Sequence, residues 1–258
     1  MRILVTNDDG IDSEGIKALV DSLKSIGKVT VIAPLKEQSA VGHAITMQIP
    51  LRITDYHKNG KFFGYAVDGT PADCVKIGIR NIMKDAPDIV VSGINHGSNT
   101  AINIIYSGTV SAAREAAIMD VPSMAVSLTN HAAKNFTFAG KIAKMLTLEI
   151  FKKNLPAGTL LNVNVPDFPK DEIKGIHLTR QGKSKWDDIY EERKDPYGRN
   201  YYWLTGNLLE VDKEMETDQA AIKNNFVSVT PIHFDLTDYK TFEKMKSWKL
   251  ENLLDEKD

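Results

Sequence analysis

The sequence has little cysteine, no excess of charge of one sign and no long apolar run. Cys74 is the single cysteine among 258 residues, which excludes an intrachain disulfide and a multi-cysteine zinc site. The 32 basic and 34 acidic residues nearly cancel, whereas proteins that bind nucleic-acid polymers usually carry a basic excess. No segment has the ~20 apolar residues of a membrane-spanning helix, and the N-terminus lacks the apolar stretch of a signal peptide. We therefore expect a cytoplasmic protein that binds no nucleic-acid polymer and no membrane.

Apolar strand-like segments alternate with helix-like segments over the first two-thirds of the chain. Residues 3–5 and 29–33 are short apolar runs, and residues 15–26 carry apolar side chains at helical spacing. Further strands are predicted at 88–92, 121–127 and 160–165, and further helices at 71–83, 110–119 and 136–151. This alternation predicts an α/β fold of three layers, in which a mostly parallel sheet is covered by helices on both faces.

Two segments interrupt the alternation, and a third closes the chain. Residues 51–68 predict a hairpin that turns at Asn59 and Gly60. Residues 170–212, rich in aromatic and charged side chains, predict a β-rich arm that either covers the protein or joins subunits. A C-terminal amphipathic helix is predicted at 241–254. The resulting division is a catalytic core at 1–169, the arm with its return to the core at 170–232, and a C-terminal segment at 233–258.

Two adjacent carboxylates, Asp8 and Asp9, follow the first predicted strand. Ligands of open α/β sheets bind at the carboxyl ends of the strands. Neighbouring carboxylates repel each other, and a hard divalent cation with its preference for oxygen ligands would compensate that repulsion. The alternative is that Asp8 and Asp9 cap the following helix and shape a turn at Gly10. The short motif by itself leaves both interpretations open.

Three more polar segments follow predicted strands or open a helix. Ser39 offers a hydroxyl, and Asn95 offers an amide oxygen in a segment rich in Asn and Gly. Ser107, Gly108 and Thr109 open a helix of small residues, and free N–H groups at a helix N-terminus suit a phosphate. Each segment alone fits an ordinary loop or helix cap. Together with the two carboxylates they indicate metal-assisted hydrolysis of a phosphate ester.

These segments resemble the SurE family, the stationary-phase survival proteins that act as 5′-nucleotidases. The matching blocks lie in order along nearly the whole chain: 3–10 (ILVTNDDG), 33–40 (APLKEQSA), 68–75 (DGTPADCV), 87–99 (PDIVVSGINHGSN), 106–113 (YSGTVSAA), 161–166 (LNVNVP), 179–182 (TRQG), 217–218 (TD) and 227–231 (VSVTP). Blocks of this length are far more specific than a short glycine pattern.

The resemblance implies a fold, an activity and a set of ligands. The fold is a Rossmann-like three-layer sandwich with a β-rich extension, and it forms dimers or tetramers through that extension and the C-terminal segment. The activity is hydrolysis of nucleoside 5′-monophosphates, and in some members also of 3′-monophosphates and polyphosphate. The cofactor is one divalent cation per subunit, Mg or Mn. The metal ligands fall on Asp8, Asp9, Ser39 and Asn95, and the phosphate-binding residues fall on Ser107, Gly108 and Thr109.

One stretch departs from the family pattern, and two other interpretations of the chain stay open. Residues 100–105 (TAINII) stand where many members carry Leu-Gly and acidic residues, which bears on substrate preference. His43 and His96 are candidate proton donors. A phosphatase with an aspartyl-phosphate intermediate would usually carry a second aspartate at the position of Gly10. A nucleotide-sensing or dinucleotide-binding module would carry a glycine-rich turn after the first strand.

Overall fold

The computed structural model describes residues 1–212 and 214–254, and a nine-stranded sheet forms its centre. The strands of this sheet are β1 (Arg2–Thr6), β2 (Lys28–Pro34), β3 (Ile53–Lys58), β4 (Lys61–Val67), β5 (Ile89–His96), β6 (Ser123–Leu128), β7 (Thr159–Val165), β8 (Gly175–Leu178) and β11 (Phe226–His233). Two more strands, β9 (Lys185–Lys194) and β10 (Asn200–Leu209), pair with each other in a separate sheet. The large sheet has the spatial order β3-β4-β2-β1-β5-β6-β7-β11-β8.

The sheet is parallel from β4 to β7 and becomes mixed at its two sides. β3 is antiparallel to β4, β11 is antiparallel to β7, and β8 runs parallel to β11. The helices are α1 (Glu14–Leu23), α2 (Pro71–Ile77), α3 (Asn103–Tyr106), α4 (Gly108–Ile118), α5 (Thr137–Lys153), α6 (Asp218–Lys223) and α7 (Tyr239–Met245). None of the helices within the described ranges has the length and apolar character needed to span a membrane.

Hydrophobic side chains are buried on both faces of the sheet, as the alternation of the sequence predicts. In β1, Ile3 and Val5 belong to the core that α1 and α5 cover, whereas Leu4 belongs to the core under α2 and α4. Successive residues of a strand point to opposite faces, so a strand between two helical layers is apolar throughout. The predicted three-layer α/β fold with a mostly parallel sheet is confirmed.

The predicted hairpin at 51–68 is confirmed as the pair β3 and β4. Asn59 and Gly60 at its turn both have positive φ, 52° and 74°. A two-residue turn of this kind needs that conformation at both positions, and Asn and Gly adopt it most easily. The hairpin also extends the parallel sheet, because β4 pairs with β2.

The predicted β-rich arm contains two structurally different parts. β8 pairs with β11 in the large sheet, whereas β9 and β10 form a long antiparallel hairpin, from the Lys185–Leu209 pair to the Lys194–Asn200 pair. The aromatic residues of the segment lie mostly on this hairpin. The division at 1–169, 170–232 and 233–258 stays a prediction.

The predicted C-terminal helix at 241–254 is wrong over its second half. α7 ends at Met245 and is followed by short 3-10 turns, and Lys249 between them has a left-handed φ of 49°. Phe242 and Trp248 are more than half exposed in the single chain. Helices in proteins gain most of their stability from packing an apolar face, and this face lacks a covering surface within the described part of the chain.

Candidate active site

Strands β1, β5 and β6 end at the same edge of the sheet, beside a cavity of about 890 Å³. Both the parallel core and the β9–β10 hairpin contribute to its walls. The lining residues from the core are Asp8, Ser39, Ala40, Asn95, His96, Ser98, Asn99, Ile102, Asn103, Tyr106, Ser107 and His131. The loops after the strands therefore meet at one place, as parallel strands require.

Asp8 follows β1, and its buried carboxylate faces the start of α4. Its Oδ1 accepts a hydrogen bond from the Thr109 hydroxyl, and the Thr109 backbone N–H also contacts the carboxylate. Burial raises the pKa of Asp8 to about 6, with a further increase from the charge of Asp9, although the Thr109 hydrogen bond opposes both effects. A buried carboxylate with a raised pKa is stabilised in its charged form by any nearby cation.

Gly108 allows α4 to approach Asp8 closely. A Cβ atom on Gly108 would lie 2.8 Å from the Cβ of Asp8 and 3.0 Å from its Oδ2. Any residue larger than glycine at position 108 would therefore clash with the Asp8 side chain. The small residue at this position is therefore explained by the packing of the carboxylate on the helix start.

Asp9 is not among the residues that line the cavity, but it is paired with His96, which is. The Nδ1 atom of His96 lies 3.4 Å from Oδ2 of Asp9, and the His96 ring packs edge-on against Phe136. Burial raises the pKa of Asp9, and the contact with His96 opposes that rise. The two neighbouring aspartates thus both lie in surroundings that penalise their negative charge.

Ser39 reaches the cavity because its loop is attached to the backbone of Asp8. The backbone N–H of Gln38 donates to the Asp8 carbonyl at 2.7 Å, and the hydroxyl of Ser39 donates to Glu37. Asn95 is oriented by its side-chain nitrogen, which donates to the carbonyl of Gly97 at 2.8 Å. With its nitrogen held in this way, Asn95 directs its amide oxygen away from that carbonyl.

The donor chemistry of these residues fits a hard divalent cation. The described residues contain no group of three or more His, Cys, Asp or Glu side chains suited to a metal ion. A metal at this edge would therefore be held by the carboxylates of Asp8 and Asp9 together with neutral oxygens from Ser39 and Asn95. Oxygen-only sets of this kind suit Mg²⁺ or Mn²⁺ and do not suit a softer metal.

The predicted phosphate-binding residues differ in what they contact. The Ser107 hydroxyl accepts the N–H of Val110 as the N-cap of α4, and Ser107 also lines the cavity. Gly108 and Thr109 contact Asp8 instead, so part of the positive helix end already faces a carboxylate. Because the N–H groups of Thr109 and Val110 already have partners, this end offers a phosphate the N–H of Gly108 and the positive end of the helix.

The two candidate histidines have different surroundings. His96 lines the cavity, whereas Nε2 of His43 lies 2.9 Å from the buried carboxylate of Glu115. Lys76 binds the other oxygen of Glu115 at 2.5 Å. Burial alone would raise the pKa of Glu115, but the hydrogen bonds from His43 and Lys76 leave it below its ordinary value. The His43 ring therefore attaches the loop after Ser39 to α4.

Sequence reasoning missed a third histidine at the cavity. The ring of His131 lies so close to Gly97 that an added Cβ there would be 2.1 Å from its Cε1 atom. His131 follows β6, and the carboxyl end of this strand lies at the same sheet edge as the predicted loops. Its position just after a predicted strand was the sequence signal that could have identified His131, although a single loop histidine carries little information by itself.

Sequence reasoning also missed the role of Asp218 beneath the cavity. Its carboxylate accepts backbone N–H groups from Ala101 at 2.9 Å and Gly182 at 3.0 Å. Burial raises the pKa of Asp218, and these backbone hydrogen bonds oppose the rise. Asp218 thereby joins the loop before α3 to the segment that leads into the β9–β10 hairpin.

Comparison with known proteins places the chain among relatives of nearly equal length. The family model described as "Survival protein SurE" matches residues 3–188. A protein named 5′-nucleotidase SurE from Chlorobaculum tepidum is 48% identical over 98% of this chain and 96% of its own length. A protein of the same name from Syntrophobacter fumaroxidans is 50% identical over 97% of this chain and 100% of its own length.

A solved structure shows the same fold. The crystal structure of the SurE protein from Aquifex aeolicus is 41% identical, with a TM-score of 0.84, and the match covers 96% of this chain and 100% of that one. The β-rich extension and the parallel core both fall within this match. The resemblance that the motifs predicted is confirmed, and the chain belongs to the SurE family.

Proposed function

We propose that this chain is a metal-dependent 5′-nucleotidase that releases phosphate from nucleoside 5′-monophosphates. The observation that carries the proposal is the adjacent pair Asp8 and Asp9, both with raised pKa, at the end of β1 and beside the start of α4. The printed name of the relatives, 5′-nucleotidase, supports the same activity.

The metal site is the first part of the proposal. Asp8, Asp9, Ser39 and Asn95 hold one divalent cation per subunit, Mg or Mn. When bound, the cation supplies positive charge that stabilises the charge developing on the phosphoryl oxygens during hydrolysis. Thr109 and the start of α4 hold the Asp8 carboxylate in a fixed position, and such preorganisation avoids a reorganisation cost during the reaction.

The phosphate site is the second part. Ser107, Gly108 and Thr109 place the N-terminus of α4 next to the metal ligands, so the Gly108 N–H and the positive end of the helix orient the substrate phosphate. His96 lines the cavity and is oriented through Nδ1 by Asp9, which leaves its other ring nitrogen to contact the substrate. The proposal extends to 3′-monophosphates and polyphosphate as further substrates. It also includes a cytoplasmic location.

The first test is a phosphate-release screen of the purified chain over nucleoside monophosphates and divalent metals. We expect release from 5′-monophosphates that is lost with EDTA and restored by Mg²⁺ or Mn²⁺, without a trapped phospho-aspartate. A phospho-aspartate would instead indicate a covalent mechanism. Nucleotide binding without metal-dependent release would indicate a sensing or dinucleotide-binding module and would contradict the proposal.

Self-association is the proposed use of the exposed apolar C-terminal segment. Large side chains are exposed on and after α7 in the single chain, namely Tyr239 63%, Phe242 53%, Trp248 63%, Leu250 47%, Leu253 60% and Leu254 94%. Large apolar side chains left exposed in such number within one segment are typical of a protein interface. We propose a homodimer or homotetramer, with residues 1–169 as the catalytic core and residues 170–232 and 233–258 as the joining segments.

Substitution of the exposed apolar residues tests this assembly. Phe242→Ser combined with Trp248→Ser should convert the oligomer to a smaller species in light scattering, because each change removes apolar area from the interface. Lys240→Ser, on the same helix, is the matched control and should retain the wild-type mass. A monomeric wild-type chain would contradict the proposal.

A further inference from the structure

The face of the β9–β10 hairpin that borders the cavity has no assigned role in the reaction. Trp186, Asp188, Leu204 and Gly206 of this face line the cavity, and so do the neighbouring residues Lys185 and Thr205. Asp188 is paired with Gly206 in the antiparallel register. Because alternate residues of a strand share a face, Trp186 and Asp188 lie on one surface with Leu204 and Gly206. We call this surface the hairpin face.

We infer that the hairpin face is the nucleoside-binding wall of the active-site cavity, and that Trp186 positions it. The inference rests on the proposed function, and it names the part of the protein that selects the substrate. The phosphate end of the cavity is formed by Asp8, Asn95 and Ser107, whereas the hairpin face lines the rest of it together with core residues such as Tyr106 and His131. A substrate held by its phosphate would therefore extend its sugar and base toward the hairpin.

A hydrogen bond attaches the hairpin to the catalytic core. The indole Nε1 of Trp186 donates to Oδ1 of Asn103 at 2.7 Å, across 83 positions of the sequence. Asn103 begins α3 and lies in the stretch where this chain departs from the family pattern. Asn103 also lines the cavity. Asn103, which belongs to this unusual stretch, is thus the hydrogen-bond acceptor that holds the hairpin over the site.

The cavity is large enough for a whole nucleotide. Its volume of about 890 Å³ lies within the ~300–1,000 Å³ of sites that enclose small organic ligands. Gly206, which is also part of the lining, lets the two strands of the hairpin approach closely, since an added Cβ would lie 2.2 Å from the carbonyl oxygen of Asp187. A site for inorganic phosphate alone would not need a cavity of this size.

The side chains of the hairpin face match the non-phosphate part of a nucleotide. An ionised carboxylate only accepts hydrogen bonds, so Asp188 suits the hydroxyl groups of a ribose. Trp186 and Leu204 offer apolar surface to a base. The substrate class that fits this wall is a ribonucleoside monophosphate.

The test compares AMP, 2′,3′-dideoxy-AMP and p-nitrophenyl phosphate as substrates of the full chain with Mg²⁺ or Mn²⁺. In Trp186→Phe and Asp188→Asn we expect the KM for AMP to rise about 5–20-fold with a smaller change in kcat, as one or two lost hydrogen bonds predict. The ratio of kcat/KM for AMP to that for p-nitrophenyl phosphate should fall at least ~5-fold. Asp188→Asn should also reduce the preference for AMP over the dideoxy substrate.

Two substitutions on the opposite face of the hairpin are matched controls. Asp187→Asn and Trp203→Phe make the same chemical changes at positions whose side chains alternate with Asp188 and Gly206 and so lie on the other face of the hairpin. Both should keep the wild-type substrate ratio and the wild-type mass in light scattering. Equal loss toward AMP and p-nitrophenyl phosphate in Trp186→Phe and Asp188→Asn, or no loss, would overturn the inference. A wild-type chain that releases no phosphate from AMP with any divalent metal would overturn the proposed function and this inference with it.

Discussion

Asp8→Asn and Asp9→Asn should each lower metal-dependent phosphate release at least ~100-fold, because the metal charge contributes several kcal/mol and each 1.36 kcal/mol is tenfold in rate. Each substitution removes one negative charge from a pair that would hold the cation. The fold should remain intact, since an asparagine oxygen at position 8 can still accept the Thr109 hydroxyl. The metal-free Asp8→Asn protein should be at least as stable as wild type, because burial penalises the Asp8 charge.

Metal titration calorimetry and thermal unfolding in EDTA separate the two effects. We expect weaker metal binding in both variants and an unfolding temperature that does not fall in Asp8→Asn. Asp12→Asn is the matched control in the same loop, since the Asp12 carboxylate is exposed and hydrogen-bonded to Tyr56 at the surface. Near-normal activity in both Asp8→Asn and Asp9→Asn would refute the metal assignment.

Gly108→Ala should lower activity about 10–100-fold, because a displacement of about 1 Å at a catalytic group has an effect of that size. The new methyl group would lie 2.8 Å from the Cβ of Asp8, so either the carboxylate or the start of α4 must move. Overpacking of this kind costs about 1–3 kcal/mol of stability. The substitution therefore tests whether close contact between Asp8 and α4 is needed for activity.

Steady-state kinetics with the metal in excess, followed by urea unfolding, measure the two consequences of Gly108→Ala. Gly60→Ala is the control, because an added Cβ at Gly60 meets no atom within 4 Å and the hairpin turn lies outside the cavity lining. It should lose some stability through its positive φ of 74° but retain activity. Full activity in Gly108→Ala would show that the helix start tolerates a wider separation from Asp8.

The alternation of apolar strands with amphipathic helices was sufficient to predict the three-layer fold. Strands such as β1 are buried on both faces, and α1 shows one buried face with Ile16, Leu19 and Leu23. These patterns are local in sequence, so they can be recognised without knowing the partners. The predicted C-terminal helix was wrong over its second half, because an amphipathic pattern records an apolar face but not whether that face is covered.

The candidate site was predicted in part. Placement of Asp8, Ser39, Asn95 and Ser107 at one cavity follows from the rule that parallel strands end at the same edge. The attachment of Thr109 to Asp8 could not be predicted, because it joins positions 101 residues apart. For the same reason the orientation of His43 toward Glu115 required the tertiary structure.

The sequence by itself determined the fold class, the family and the residue types at the strand ends, since these depend on local patterns and on motif blocks. Only the tertiary structure decided which side chains face one another: Asp8 against the start of α4, Asp218 beneath Ala101, and Trp186 against Asn103. Contacts of this kind depend on how segments that are distant in sequence pack against each other. No local pattern of the sequence encodes distances between distant segments, whereas the packed core fixes them.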